Sequence, residues 1–384
     1  MKSTRRQFLA GIAKTGAACL IADPLLSGCS SRNVRQAAAP AQATGLPAPW
    51  MHGALHHAAM APSGHNSQPW QVEMESDARW IVRIDPGRML PAVDPDGRES
   101  LLSVGAFLET LAIAAAAGGQ QATVAITGTH PLDPGLATVT FRKAAAAATP
   151  LERIRQRRTL KSGQLPREIR DEDVAPLTAA CGGGLHYFPR SGKHATCIAE
   201  GTVEAFRHQS RRDDAQKELA RWVRFTPASI AEHGDGLTPA GMEVGGVAGI
   251  YMRFFMTPED VTGDAFRTAG VDKTAEQVSQ GGGWLIITSP GNTVGDIIDA
   301  GRRFQRMALL ARERSIAVHP MTQLLEEPRW RDEITRMHGP GMVPQFILRV
   351  GYVDRYPDPV SPRRPVGAFT RVLAGGDGGK GGSV

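Results

Sequence analysis

Two stretches far apart in this chain start on a glycine and then run in step. Gly105 heads "GAFLETLAIAAAAGG" and Gly301 heads "GRRFQRMALLARERS". At one constant offset Phe107 meets Arg303, Leu111 meets Met307, Ala112 meets Ala308 and Ile113 meets Leu309. Apolar positions recur at helical spacing in both. Upstream of each lies a short β-rich run closed by Pro-Gly, "RWIVRIDPG" at 79–87 and "GWLIITSPG" at 283–291. The pattern predicts two related halves, each with a strand, a loop and a helix rich in small residues. Small side chains let backbones approach closely, so the two helices are expected to pack against each other at the centre.

The 384 residues are 41% apolar and 21% charged. That is enough to bury a sizeable core in about two domains, and it excludes a coiled coil, a disulfide miniprotein and a polytopic membrane protein. Residues 1–28 read as an export signal, with a basic start, a modestly apolar middle and a small-residue end. Ser3-Thr4-Arg5-Arg6-Gln7-Phe8-Leu9 resembles a twin-arginine signal, and Leu26-Ser27-Gly28-Cys29 resembles a lipobox cut before an acylated Cys29. Ser30 resembles outer-membrane sorting. The expected location is therefore the periplasmic side of a bacterial membrane, tethered by lipid. Removing 1–28 takes away Lys2, Arg5, Arg6 and Lys14 against Asp23, which halves the formal net charge of +6. A nucleic-acid partner loses most of its electrostatic motive. Cys181 and Cys197 are free to pair in an oxidising compartment or to be two unrelated residues; no metal-ligand spacing is present.

The remaining organisation follows from local pattern. Residues 29–48 read as a flexible tether, 49–150 as an N-terminal half, 151–371 as a C-terminal half and 372–384 as a frayed tail. Helices are expected at 49–60, 151–158, 171–180 and through most of 194–222. Strands are expected at 70–76, 79–85, 137–143, 283–289, 316–321 and 344–352. Residues 223–282 are rich in Gly and Thr and read as a lid-like insertion, poor in core. No HExxH, GxSxG, P-loop or Rossmann fingerprint occurs.

One segment concentrates hydrogen-bonding capacity. "APSGHNSQPW" at 61–70 combines turn formers Pro62 and Gly64 with Ser63, Asn66, Ser67 and Gln68, then ends on Trp70 as an apolar anchor. Such a loop can read a planar heterocycle, or it can satisfy its own polar groups as a structural turn; chemistry alone leaves both open. A second segment, Arg157-Arg158-Thr159-Leu160-Lys161, is suited to grip phosphate or to be a solvated basic helix end.

The loop closely resembles the APSxxNxQPW motif of the nitroreductase family of flavin enzymes. "DPDGRESLLSVGAFLETLAIAAAAGG" at 94–119 resembles the next segment in its double-length, Acg-type branch. The resemblance spans roughly 49–370. It implies an α+β nitroreductase-like fold, with two fused half-domains forming an internal pseudo-dimer around one FMN. Pro62, Ser63, Asn66 and Gln68 would lie along the flavin ring. Arg157, Arg158, Thr159 and Lys161 would take the phosphate, with Arg363 and Arg364 approaching it from "VPQFILRVGYVDRYPDPVSPRRPV", and His319 of "AVHPMTQ" lying near flavin or substrate. The second half has "AACGGGLHYF" at 179–188 where a ring-reading loop would be, so one complete site and one degenerate site are expected. The implied chemistry is ping-pong: NAD(P)H or another donor reduces the flavin, then a small nitro, quinone-like or other conjugated acceptor is reduced. No side chain is required as acid, base or metal ligand, and internal duplication implies a monomer. The alternative is a non-catalytic lipoprotein that binds and stores flavin.

Overall fold

The computed structural model describes residues 46, 48–148, 151–338 and 342–373. The expected signal, Cys29 and most of the tether lie outside them. The first half contains α1 (Pro49–Ala58), β1 (Trp70–Ser76), β2 (Arg79–Ile84), α2 (Arg98–Ala117), β3 (Gln120–Ile126) and β4 (Ala137–Lys143). The second contains α3 (Leu151–Gln156), α4 (Asp171–Cys181), β5 (Leu185–Pro189), α5 (Lys193–Arg211), α6 (Asp213–Trp222), α7 (Pro227–His233), α8 (Gly246–Phe255) and α9 (Asp264–Val278). It continues with β6 (Gly283–Ser289), α10 (Val294–Glu313), β7 (Ile316–Pro320), α11 (Gln323–Glu326), α12 (Pro328–His338), β8 (Val343–Tyr352) and β9 (Thr370–Val372). The fold is α+β.

The repeat seen in the sequence is a repeat of topology. One sheet has the order β3-β4-β2-β1-β9 and the other β7-β8-β6-β5, so the four strands of each half follow one another in the same way. All neighbours are antiparallel except β9, which runs parallel to β1. The helices α2 and α10 each have 20 residues, and they match end for end at the offset that aligns Gly105 with Gly301. Strand composition follows environment. In β1 buried and partly buried positions alternate, whereas β6 is buried at every residue, as a strand covered on both faces must be.

The two glycines are where α2 and α10 touch. A Cβ on Gly105 would sit 2.1 Å from the Ile298 carbonyl oxygen, and one on Gly301 would sit 2.2 Å from that of Leu102. Only glycine permits backbones this close. Beside the crossing Glu109 accepts from Arg302 Nε at 3.0 Å and Arg306 Nη1 at 2.9 Å. Gln305 Nε2 donates to Thr110 Oγ1 at 2.9 Å. α2 starts on a carboxylate cap: Asp94 accepts from the Glu99 and Ser100 amides at 3.0 and 3.1 Å. It is the one helix among the described residues long and apolar enough to cross a membrane, and most of it is buried in the fold.

Several expectations need correction. The helix expected over 151–158 ends at Gln156, because Arg157 turns away to reach the carbonyl of Met60. The tail expected from 372 begins later, since Val372 pairs with Met74 in β9. Residues 223–282 are not poor in core: they hold α7, α8 and α9 and help bury Val223, Phe225, Met252 and Val261. Glycine misled there because it serves helix ends, such as Gly234 after α7 with φ of 62°. Strands β3 and β5 were not anticipated. Cys181 is buried and Cys197 exposed, and they are not bonded to each other.

Candidate functional site

The halves enclose a cavity of about 1140 Å³. Three chain segments meet on one wall: the 61–68 loop, the 157–161 segment and the return strand that carries Arg363 from the second half back to β9.

The loop is held in a costly backbone shape. His65, Asn66 and Gln68 all have positive φ, at 48°, 53° and 53°. Each non-glycine residue in that region costs of order 1–3 kcal/mol unless its surroundings impose it. Here they do. Ser63 Oγ accepts from the Gln68 amide at 2.9 Å. Asn66 Nδ2 donates to the carbonyls of Gly236 and Pro362, both at 3.2 Å, and Asn66 Oδ1 accepts from Arg363 Nη1 at 2.9 Å. Gln68 Nε2 donates to Gly234 O at 2.9 Å, and its Oε1 accepts from the Arg364 amide at 2.9 Å. Trp70 then buries its ring fully, stacked on Phe107 with centroids 4.9 Å apart.

Two expected contacts are thereby corrected. Gln68 is wholly buried behind the loop. Arg364 donates to Gln68 O at 3.0 Å and lies over Phe369. Neither lines the cavity; both brace the loop that does. Pro62, Ser63 and Asn66 do line it. Arg88 adds a second clamp, donating to Ser67 O at 2.8 Å and pairing with Asp235 at 2.9 Å, which Arg224 also holds at 2.8 Å.

The basic end gathers Arg157, Arg158, Thr159, Lys161 and Arg363 on the same cavity. Arg157 Nη2 and Arg363 Nη2 both donate to Met60 O, at 3.3 and 3.2 Å. Burial lowers the Arg157 guanidinium to about 10. Burial, then the charge of Arg157, lowers Arg363 to about 9. A buried cation that lowers the pKa of another buried cation marks a place where negative charge is favoured. Burial also lowers Arg158 and Lys161, each partly offset by Glu243. That carboxylate accepts from the Lys161 amide at 3.0 Å. His319 reaches the cavity too. Its Nδ1 faces Arg349 Nη2 at 3.2 Å. Arginine only donates, so the ring proton sits on Nε2. Burial, Arg349 and Lys161 hold this histidine neutral.

The cavity also has an acidic end that sequence reasoning missed. Glu99 and Glu326 both line it. Glu326 accepts from Gln209 Nε2 at 2.6 Å and Thr322 Oγ1 at 3.0 Å. Burial and the neighbouring Glu99 raise its carboxyl to about 7. Arg98 pairs with Glu99 at 2.6 Å. The only hint in the sequence was Glu99 within the 94–119 segment. Glu326 sits in "TQLLEE", which carries no pattern.

The second half does not repeat the site. In place of the loop before β1 it has Gly182, Gly183 and Gly184 before β5, all at positive φ. Arg303 fills the space, donating to Gly183 O at 3.2 Å and Thr288 O at 2.9 Å.

The chain is similar to several known proteins. Over 324 residues, 79% of this chain and 86% of the relative, it is 28% identical to "Putative NAD(P)H nitroreductase Rv3131" of Mycobacterium tuberculosis. Over 332 residues, 84% and 95% of the two chains, it is 27% identical to "Putative NAD(P)H nitroreductase acg" of the same organism. These relatives support the nitroreductase family. No protein-family model matches the chain. The crystal structure of the FMN-dependent nitroreductase NfnB from Mycobacterium smegmatis in complex with NADPH aligns with 58% of this chain and 97% of its own, at 17% identity and a TM-score of 0.36.

Proposed function

We propose that the chain is an FMN-dependent oxidoreductase of the nitroreductase type, which takes electrons from NAD(P)H and passes them to a small conjugated acceptor. The observation that carries this reading is the convergence of buried Arg157 and Arg363 on one end of a cavity whose wall is the strained 62–66 loop. The residues fit the group. A terminal phosphate dianion would offset the positive charge that Arg157 imposes on Arg363, and Thr159 and Lys161 line the same cavity. The loop, fixed by Asn66, Gln68 and Arg364, gives a planar ring a rigid wall. When bound, the flavin supplies the hydride chemistry. The chain supplies position, cover from the 223–282 segment, a neutral His319 and a Glu326 carboxyl able to hold a proton at neutral pH. Only one half can do this, because Arg303 occupies the equivalent place in the other.

The test is direct. The purified chain is expected to be yellow, to retain FMN, and to bleach with NADH or NADPH and recover its colour with a nitroaromatic. Arg157→Ala is expected to lose FMN far more readily than Arg211→Ala, whose residue is exposed. Equal retention would refute the phosphate assignment, and retention without turnover would favour storage. We infer in addition that Cys29 is acylated after export; radiolabelled palmitate should enter the wild-type chain and not Cys29→Ser.

A further inference from the structure

The helix α8, "GVAGIYMRFF", breaks the usual pattern for a surface helix. Val247, Ile250, Phe254 and Phe255 are 45 to 69% exposed, and they are four of the seven exposed large apolar side chains among the described residues. Val247, Ile250 and Phe254 fall at i, i+3 and i+7, on one face. Tyr251 stacks on Phe255 with centroids 5.6 Å apart. Arg253 is the one charged residue in ten. The rest of the helix is apolar too: Met252 is buried, and Val247, Ala248, Tyr251 and Met252 line the cavity. An apolar face of this kind on a soluble surface marks a contact.

We propose that α8 docks on a lipid bilayer, lying in the plane of the interface with Val247, Ile250, Phe254 and Phe255 among the acyl chains. Two observations favour the bilayer over a second copy of the chain. Ten residues of helix, about 15 Å long and about 10 Å across, present a face of about 150 Å², well short of the roughly 800 Å² per partner that a stable protein interface buries. The lipobox also ends at Cys29, and α1 begins at Pro49. The residues between could span at most roughly 65 Å fully extended, so an acylated Cys29 keeps the helix within reach of the membrane. Interfacial helices with an apolar face bury it about 5–10 Å deep.

The docking has a consequence for substrate. Behind α8 the cavity wall is apolar, formed by Leu219, Met242, Val244, Met256 and Phe266. The whole cavity exceeds the roughly 300–1,000 Å³ common for a single small ligand. A lipophilic acceptor dissolved in the bilayer would pass from the acyl region into this compartment beside α8. That step rests on the oxidoreductase reading, and the reach of the tether on acylation of Cys29; the exposed apolar face of α8 rests on neither.

The experiment uses the chain from Cys29 onward, made without acylation, which keeps every described residue. It is expected to sediment with vesicles of phosphatidylethanolamine and phosphatidylglycerol. Phe254→Asp combined with Phe255→Asp is expected to lower the partition coefficient roughly a hundredfold. Both side chains are more than half exposed, so an unchanged thermal midpoint and circular dichroism spectrum should accompany the loss. A wild-type chain that stays in the supernatant, or a double variant that sediments equally, overturns the proposal. So does a dimer in sedimentation equilibrium that the double variant abolishes while vesicle binding is absent. Flavin retention, measured on the same samples, separates failure of docking from failure of the functional reading.

Discussion

Arg157 should affect stability and binding in opposite directions. The residue is 6% exposed, and burial holds its guanidinium at about 10, well below its ordinary value. At about 1.4 kcal/mol per tenfold, that displacement costs the fold about 3 kcal/mol. The sign is that of a base whose proton is held less tightly when folded. The cost is present at every pH below about 10 and fades as pH rises from there to the ordinary guanidinium value, so a neutral assay sees it in full. Arg157→Met removes the charge and keeps most of the volume. It forfeits the long bond to Met60 O, worth about 1 kcal/mol, but Arg363 still donates to that oxygen. The flavin-free variant should therefore be more stable than wild type by about 2 kcal/mol, a rise of about 4–8 °C on the scale of mid-sized domains. Flavin should reverse the order. A ligand at a hundred times its dissociation constant adds about 2.7 kcal/mol, and the variant should forgo most of it. Differential scanning calorimetry with and without FMN reads both effects. If Arg157→Met melts lower without flavin, or gains as much from flavin as wild type, the charge argument is wrong.

Three further outcomes are expected. Gly105→Ala places a Cβ 2.1 Å from a backbone oxygen that cannot yield without parting α2 from α10. The urea midpoint should fall by the equivalent of about 3 kcal/mol or more, and an unchanged midpoint would mean the helices do not cross there. Glu326 is an acid held at about 7, so its stabilising share is complete below 4.5 and is lost as pH rises to 7. Glu326→Gln should therefore gain on wild type by about 3 kcal/mol between pH 4.5 and 8; parallel stability curves would contradict the burial of that carboxyl. Iodoacetamide under native conditions should label Cys197 and spare Cys181, which is buried and whose thiol burial pushes up; equal labelling would contradict the packing of α4.

How much of this could be read beforehand depends on whether a residue's job is set by its neighbours in sequence. Gly105 and Gly301 were legible because close helix packing demands small residues at helical spacing, and nothing distant is needed to see it. That Pro62, Ser63 and Asn66 line a cavity was legible from a compact motif. Gln68 and Arg364 were misread for a physical reason. Three demands for positive φ within four residues of the loop need bonds from behind, and polar side chains that look ligand-facing in a string are the ones available to supply them. Glu326 and Met60 O were invisible because their roles depend on β7, α5 and the return strand meeting across hundreds of residues.

The duplication also explains why the site is single, and the decisive position was in the alignment from the start. Phe107 and Arg303 are equivalent residues on equivalent helices. In the first half Phe107 gives Trp70 an apolar partner, and Trp70 ends the loop with a buried ring that fixes where the loop can lie. In the second half the strand begins on Leu185, and Arg303 extends into the space before it, bonded to Gly183 O and Thr288 O and paired with Asp299 at 2.8 Å. A Cβ on Gly184 would stand 2.9 Å from that guanidinium, so this glycine makes room for an arginine. The basic residues of the second half instead line the cavity beside the first half's loop. Arg157 and Arg363 reach Met60 because the chain crosses between halves twice, at 157 and again on the way to β9. A symmetric pair of sites would need each half to keep both parts; this chain has placed the strained loop in one half and the buried arginines in the other, on one cavity.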